Sequence, residues 1–287
     1  MEDLHRIRNH LFDKAEYYWK LSLITLVSIQ LLTLSSSFFE NLIFTSIVGS
    51  LSLISAVLII FFRDRSGLFS GQADKCRRLI LYADAFGKEI PQDEIKVLKS
   101  WVLGENVEKA PFLEPYYASE LESGGKRLLD DIAESSFYTS FLAKKVAYRI
   151  LILLGFSIIL SIAILSLSLT FTSTKDQLVF VIKAVLSFGM FIFTGDVFMM
   201  WISYSRLSRA AHSTFEKCCF LLGKRGVGRT TACHIAEDYH VELATSNPIP
   251  FFIYDKYNEH LHNLFMDNYR VASGTEQSAG ADKRTAC

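Results

Sequence analysis

Four stretches of this sequence carry neither Lys nor Arg over lengths that can cross a lipid bilayer, and they constrain what the rest of the chain can build. They are Leu21–Phe39, Asn41–Phe62, Ile150–Thr174 and Ala184–Ser205. A helix needs about 20 apolar residues to span the hydrocarbon core. Buried helices of soluble enzymes rarely stay uncharged for so long. Within all four stretches there is a single charge, Asp196.

Composition agrees with a membrane protein. Half of the 287 residues are hydrophobic, and 23 Phe and 12 Tyr raise the aromatic share to 13%. Thirty basic residues balance thirty acidic ones, so no charge excess points to a nucleic acid polymer or an acidic polymer as partner. The cysteines (Cys76, Cys218, Cys219, Cys233, Cys287) show no repeated spacing, and none falls in a segment placed outside the cell, so they read as reduced cytosolic thiols. Cys233, His234 and His240 lack the second Cys pair of a metal site. Neither a metal nor a cofactor is expected.

Residues 1–20 hold eight charges and no short apolar run ending in small residues, which excludes a cleavable signal. Leu4, Ile7, Leu11, Ala15 and Tyr18 recur at spacings of three and four, predicting an amphipathic helix on or rising from the membrane surface. Tyr17, Tyr18 and Trp19 sit where an interfacial aromatic belt belongs. Lys and Arg number four in this segment, fourteen in 63–149 and ten from Arg206 onward. The first hairpin connection has none and the second has two (Lys175 and Lys183). The positive-inside rule then puts both termini and the middle segment in the cytoplasm.

The expected fold is an all-α integral membrane protein. It comprises a cytoplasmic N-terminal helix (1–20), a transmembrane hairpin (21–62), a helical cytoplasmic middle (63–149), a second hairpin (150–205), a helical cytoplasmic tail (206–272) and a disordered C-terminus (273–287). In the middle segment Cys76, Leu79, Ile80, Ala83 and Phe86 form a stripe stopped by Gly87. Pro91 opens a helix with Ile95, Leu98 and Val102 on its apolar face, ended by Gly104. From about Lys126 a third helix carries Leu128, Ile132, Ser135, Thr139, Leu142 and Val146 and runs unbroken into the third span. In the tail, Leu207, Ala211, Phe215, Cys218 and Leu222 continue the fourth span until Gly223 and Gly226 break it. Thr230 is expected to cap a helix reaching Leu243, and a last helix carries Ile253, Tyr257, Leu261 and Leu264.

Several features could carry function. Gly223-Lys-Arg-Gly-Val-Gly-Arg229-Thr230 has P-loop spacing, but Arg229 stands where the phosphate Lys belongs and a helix precedes it instead of a strand, so it reads as a basic helix–helix turn. Asp196, near mid-span, costs about 2.5–3.5 kcal/mol on insertion scales and must face protein or water. It is either a pore or gating carboxylate or a protonated packing group. Ser157, Ser161, Ser168 and Thr172 make one face of the third span hydroxylic, as a conduit lining or as a packing seam. Gly189 and Gly195 favour close packing of the fourth span. No nucleophile elbow, His-Glu-x-x-His or paired-carboxylate motif occurs, and His260 and His262 lie on different helix faces, so no enzyme is expected.

The layout resembles the SMODS-associated four-transmembrane pore-forming effectors of CBASS-type antiphage systems. Two stretches carry the resemblance. The first is Tyr116-Tyr117-Ala118-Ser119 with Gly124-Gly125-Lys126-Arg127-Leu128-Leu129 and Glu134-Ser135-Ser136-Phe137-Tyr138. The second is Asp238-Tyr239, Pro248-Ile249-Pro250 and Ile253-Tyr254. Asn247-Pro-Ile-Pro departs from the family pattern in its residues. The resemblance implies a pore in the bacterial inner membrane, opened by a cyclic nucleotide messenger from a partner nucleotidyltransferase in abortive infection; because four helices per protomer make a narrow bundle, a homo-oligomer is expected. The family transfers no catalytic or ligand residues. Lys126 and Arg127 beside the Gly-Gly turn, with Arg77 and Arg78, are the candidates for phosphate contact, against the plainer reading of a solvated basic helix start. A small ion or solute transporter and a non-conducting membrane scaffold are the competing classes. The transporter would call for more intramembrane polar groups and broken helices.

Overall fold

The computed structural model of the chain describes residues 2–36, 42–102, 119–171, 182, 185, 197–224 and 226–266. Both hairpin connections, the loop with Gly104, Pro111, Pro115 and Tyr116–Ala118, and Thr172, Gly189, Gly195, Asp196 and the last 21 residues lie outside this set. Among the described residues every regular element is a helix: α1 (Glu2–Ser36), α2 (Leu42–Phe86), α3 (Gln92–Ser100), α4 (Gly125–Phe171), α5 (Val197–Leu222), α6 (Arg229–Ala244) and α7 (Phe251–Phe265).

The helix ends follow local chemistry. α2 stops where Gly87 takes φ +60°, and Lys88 N–H donates to Ala83 O at 3.2 Å, closing a left-handed C-terminal cap. Pro91 precedes α3, with Asp93 and Glu94 in the first turn against the dipole. α4 begins at Gly125 and continues to Phe171, as its apolar spacing predicts. One expected boundary is corrected. Thr230 does not cap α6: Gly228 occupies the N-cap without a side-chain bond, and the helix runs Arg229–Ala244. α2 is also longer than its charge pattern suggests, passing through Arg63, Asp64 and Arg65 without a break. Gly67 and Gly71 are isolated there, and a single helical Gly weakens a helix by about 1 kcal/mol without ending it.

The chain forms two compact units, both assembled from separated segments. One comprises Met1–Phe12, Ser70–Val146 and Tyr204–Cys287; the other comprises Asp13–Phe69 and Ala147–Ser203. In the first, Leu81, Ala85, Leu128, Leu129, Ile132, Ala133, Ala211, Cys218, Ala232, Ala236 and Tyr239 make a closed apolar core contributed by α2, α4, α5 and α6. A fully buried Leu or Ile contributes roughly 1.5–3 kcal/mol of transfer free energy. The N-terminal stripe behaves as its periodicity predicts. Leu4, Ile7, Leu11 and Ala15 are all buried, so they face protein rather than a membrane surface.

In the second unit α1 and α2 pair antiparallel. Ser66 Oγ donates to Ala15 O at 2.7 Å, and the Tyr18 ring stacks on Phe69 and tilts against Phe62. Tyr17 points outward. Among the described residues two helices are long and apolar enough to cross a membrane by length and composition, Ser46–Phe86 and Gly125–Ala163. Only 6% of the apolar part of the former is buried, and 24% of the latter. A core helix of a soluble protein would be mostly covered. Ile43, Leu53, Val57, Ile60, Phe156 and Ile159 are instead more than half exposed.

Gly125 makes the tightest helix contact. A Cβ there would stand 3.3 Å from Arg229 Cα and 3.4 Å from the carbonyls of Val227 and Gly228, all backbone atoms. Gly125→Ala should destabilise the helical unit by about 1–3 kcal/mol. Gly71→Ala, where a Cβ meets nothing within 4 Å, should be neutral or stabilise by up to about 1 kcal/mol. Thermal melts of the two variants in detergent check the contrast.

Candidate functional site

In the first unit, polar contacts link three neighbouring helices, α2, α4 and α6. α2 and α4 are antiparallel, α4 and α6 parallel. Arg127 joins Asp84 in a bidentate ion pair, with Nη2 at 2.9 and 3.0 Å from the two carboxylate oxygens and Nε at 3.2 Å. Its Nη1 also reaches Leu121 O at 3.4 Å. Tyr239 is fully buried and donates from Oη to Ser135 O at 3.0 Å. The hydroxyls of Ser135 and Thr139 lie 3.1 and 2.7 Å from Tyr239 Oη. Arg229 is drawn over the Phe86 ring, 4.0 Å from its centroid, so this residue of the Gly-rich turn is engaged with α2.

Two ionisable side chains in this region are buried without a hydrogen bond to any described residue. Asp131 on α4 is 0% exposed and neither carboxyl oxygen meets a donor. Burial pushes its carboxyl up to about 9, reinforced by the negative charges of Asp84 and Asp130 and opposed by Arg127. His240 on α6 is 6% exposed, with both ring nitrogens unbonded. Burial drives its imidazole down to about 2, with help from the positive charges of Arg77 and Arg78. At neutral pH both are therefore uncharged. Asp74 on α2 is likewise pushed upward by burial, while Arg77, 3.2 Å away, pulls in the opposite direction.

The candidate phosphate contacts separate into two kinds. Arg127 and Arg77 are held by Asp84 and Asp74, whereas Lys126 and Arg78 are exposed. No described interaction brings the 77–78 pair together with the 126–127 pair. Of the hydroxyl face, Ser157 is buried and Ser161 donates to Ser157 O at 2.8 Å. The Ser168 side chain, Thr172 and Asp196 are not among the described residues. His234 is exposed while His240 points inward, so they do not converge, and no metal-ligating cluster exists among the described residues.

Asp131, Asp84, Asp74 and the inward face of His240 escape a motif search, whereas Tyr239 falls within the Asp238-Tyr239 pair quoted above. A signal for two of them is present nonetheless. Asp131 falls between Leu128 and Ser135 at spacings of three and four on the apolar stripe of α4, and His240 does the same between Ala236 and Leu243. No family model, curated protein or solved structure matches this chain.

Two outcomes follow from this geometry. Arg127→Ala should lower stability by about 1–2 kcal/mol, since the pair is bidentate but about a quarter exposed. For His240 the folded state resists protonation, so its contribution to stability is present above about pH 6.5 and is lost as pH falls toward 2. His240→Leu should thus gain on the wild type as pH drops from 6.5 to 4.5, by at most about 1.4 kcal/mol per pH unit. Paired thermal melts across that range check the direction.

Proposed function

We propose that this chain is a signal-gated, pore-forming membrane effector of the cyclic-nucleotide antiphage type, acting as a homo-oligomer. The observation that carries the reading is that α2 and α4 each belong to both units. Residues 70–86 of α2 and 125–146 of α4 build the polar-lined helical bundle, and the apolar lengths of the same helices build the other unit. A change of packing in the bundle therefore acts on helices that themselves enter the bilayer. In this scheme all four uncharged stretches span it, with both termini and the bundle on the Lys/Arg-rich cytoplasmic side of the inner membrane. Four helices make too narrow a bundle to conduct alone, hence the oligomer. A messenger opens the pore only by binding the open state more tightly than the closed one.

Lys126 and Arg78 are the messenger contacts in this reading, because their side chains are exposed whereas Arg127 and Arg77 already hold carboxylates. Asp196 is the cation-attracting group of the lumen. The chain performs no catalysis of its own and needs no cofactor.

One observation favours a non-conducting scaffold. Thr25, Thr33, Ser50, Ser52 and Ser161 all donate to carbonyls of their own helices, so these hydroxyl hydrogens are spent within the helix instead of being offered to a conduit. Dye-loaded liposomes separate the two. Cyclic di- and trinucleotides added one at a time should release dye from vesicles holding the oligomer. Folded oligomer that stays impermeable to ions and dye with every messenger overturns the pore. Lys126→Ala with Arg78→Ala should raise the messenger concentration for half-maximal release at least tenfold. Asp196→Asn should reduce cation preference without loss of assembly.

A further inference from the structure

Arg127 and Asp131 stand one turn apart on α4, the spacing at which a guanidinium and a carboxylate on one helix face meet. Arg127 does not use that partner. Its guanidinium crosses to Asp84 of α2, while Asp131 is fully buried with both oxygens lacking a donor among the described residues. One cation thus has two carboxyl groups at hand, one on the neighbouring helix and one on its own. We propose that Asp131 is a proton-controlled competitor for Arg127: protonated, it leaves the guanidinium clasping α4 to α2 through Asp84; ionised, it draws Arg127 into an intrahelical pair and opens the clasp.

The surroundings set the direction of the switch. Asp131 lies in the field of Asp84 from α2 and of Arg127, Asp130 and Glu134 from α4. α5 and α6 bring the Cys218 thiol and the Tyr239 phenol to the same core. Burial pushes the Cys218 thiol up to about 12, and the Tyr239 hydroxyl is engaged with Ser135 and Thr139. Asp131 therefore shares the vicinity with three further carboxyl groups, and among the described residues Arg127 is the cation that opposes them. An unpaired buried carboxylate is far more costly than a buried neutral carboxyl, so the closed arrangement holds the proton. Its carboxyl titrates near 9 in the folded chain against 3.8 in a model peptide. The stability it supplies is fully present below about pH 4 and is lost as pH rises through about 9. An alkaline shift of the compartment, or a ligand that stabilises the ionised form, releases α4 from α2. The inference does not depend on the pore reading, because it concerns the bundle alone.

The test uses the full chain in detergent micelles, labelled with ¹³C at Asp carboxyls and Arg Cζ and titrated from pH 5 to 10. One carboxyl should titrate near pH 9 and be missing in Asp131→Asn, and the Arg127 Cζ resonance should move with the same midpoint. In Asp84→Asn, where Arg127 loses its partner, that titration should fall by two pH units or more. Asp131→Asn should melt above the wild type, with a gap that widens by several degrees between pH 6 and 9. If every carboxyl titrates below pH 6, or if Arg127 Cζ is unmoved while Asp131 ionises, the switch is overturned. Both decisive signals come from the wild-type chain, so they stand even if a variant fails to fold.

Discussion

A backbone amide in hydrocarbon has no water to turn to, so a chain that enters a bilayer must satisfy its own peptide groups, within continuous helix or a closed barrel. α2 and α4 are long and apolar enough to meet this demand. Each spends part of its length with apolar side chains turned outward and its backbone bonds closed internally, and the hydroxyls found there donate back to the same helix. Once helices of 45 and 47 residues are fixed in this way, their remaining turns supply a ready scaffold on which α5, α6 and α7 can pack.

The bundle built on that scaffold is not uniformly apolar. Its α2–α4 contact is held by a bidentate ion pair, its α4–α6 contact by a hydroxyl cluster around Tyr239, and its deepest carboxyl and imidazole are kept neutral by burial. The two neutral groups respond oppositely to pH, Asp131 disfavouring the fold as it rises and His240 as it falls. A buried polar set of this kind trades some stability for a defined packing arrangement. Its α2 and α4 members lie on helices that also carry apolar, membrane-length stretches.

Much of this was legible in the sequence because periodicity reports burial directly. The α1 stripe, the α4 face through Val146 and the Gly87 stop could all be read from spacing and residue type. The uninterrupted course of α2 past Arg63 was not, since a cluster of charges marks where a helix leaves an apolar medium but not where it ends. The Thr230 cap failed because α6 begins at Arg229, where the backbone of the turn packs against Gly125, a tertiary contact that no local capping pattern reports. The candidate site was half visible. Basic residues could be named from the sequence, and Asp74 beside Arg77 is a local partner, but the pairing of Arg127 depends on Asp84, more than 40 positions away. The inward aspect of Asp131 was written in the α4 stripe, where a charged residue occupies a position that periodicity reserves for the core.

The helical unit is drawn from three separated segments of chain, the last beginning at Tyr204. During synthesis, Leu81, Ala85, Leu128 and Leu129 therefore emerge long before Ala211, Ala232 and Tyr239 arrive to cover them. Half-finished cores of this sort expose apolar surface and invite wrong associations. Biogenesis thus imposes an order: the early helices have to wait, with their future interface uncovered, until the C-terminal third is translated. A chain interrupted near residue 204 would keep its apolar helices and lack the closing half of its core.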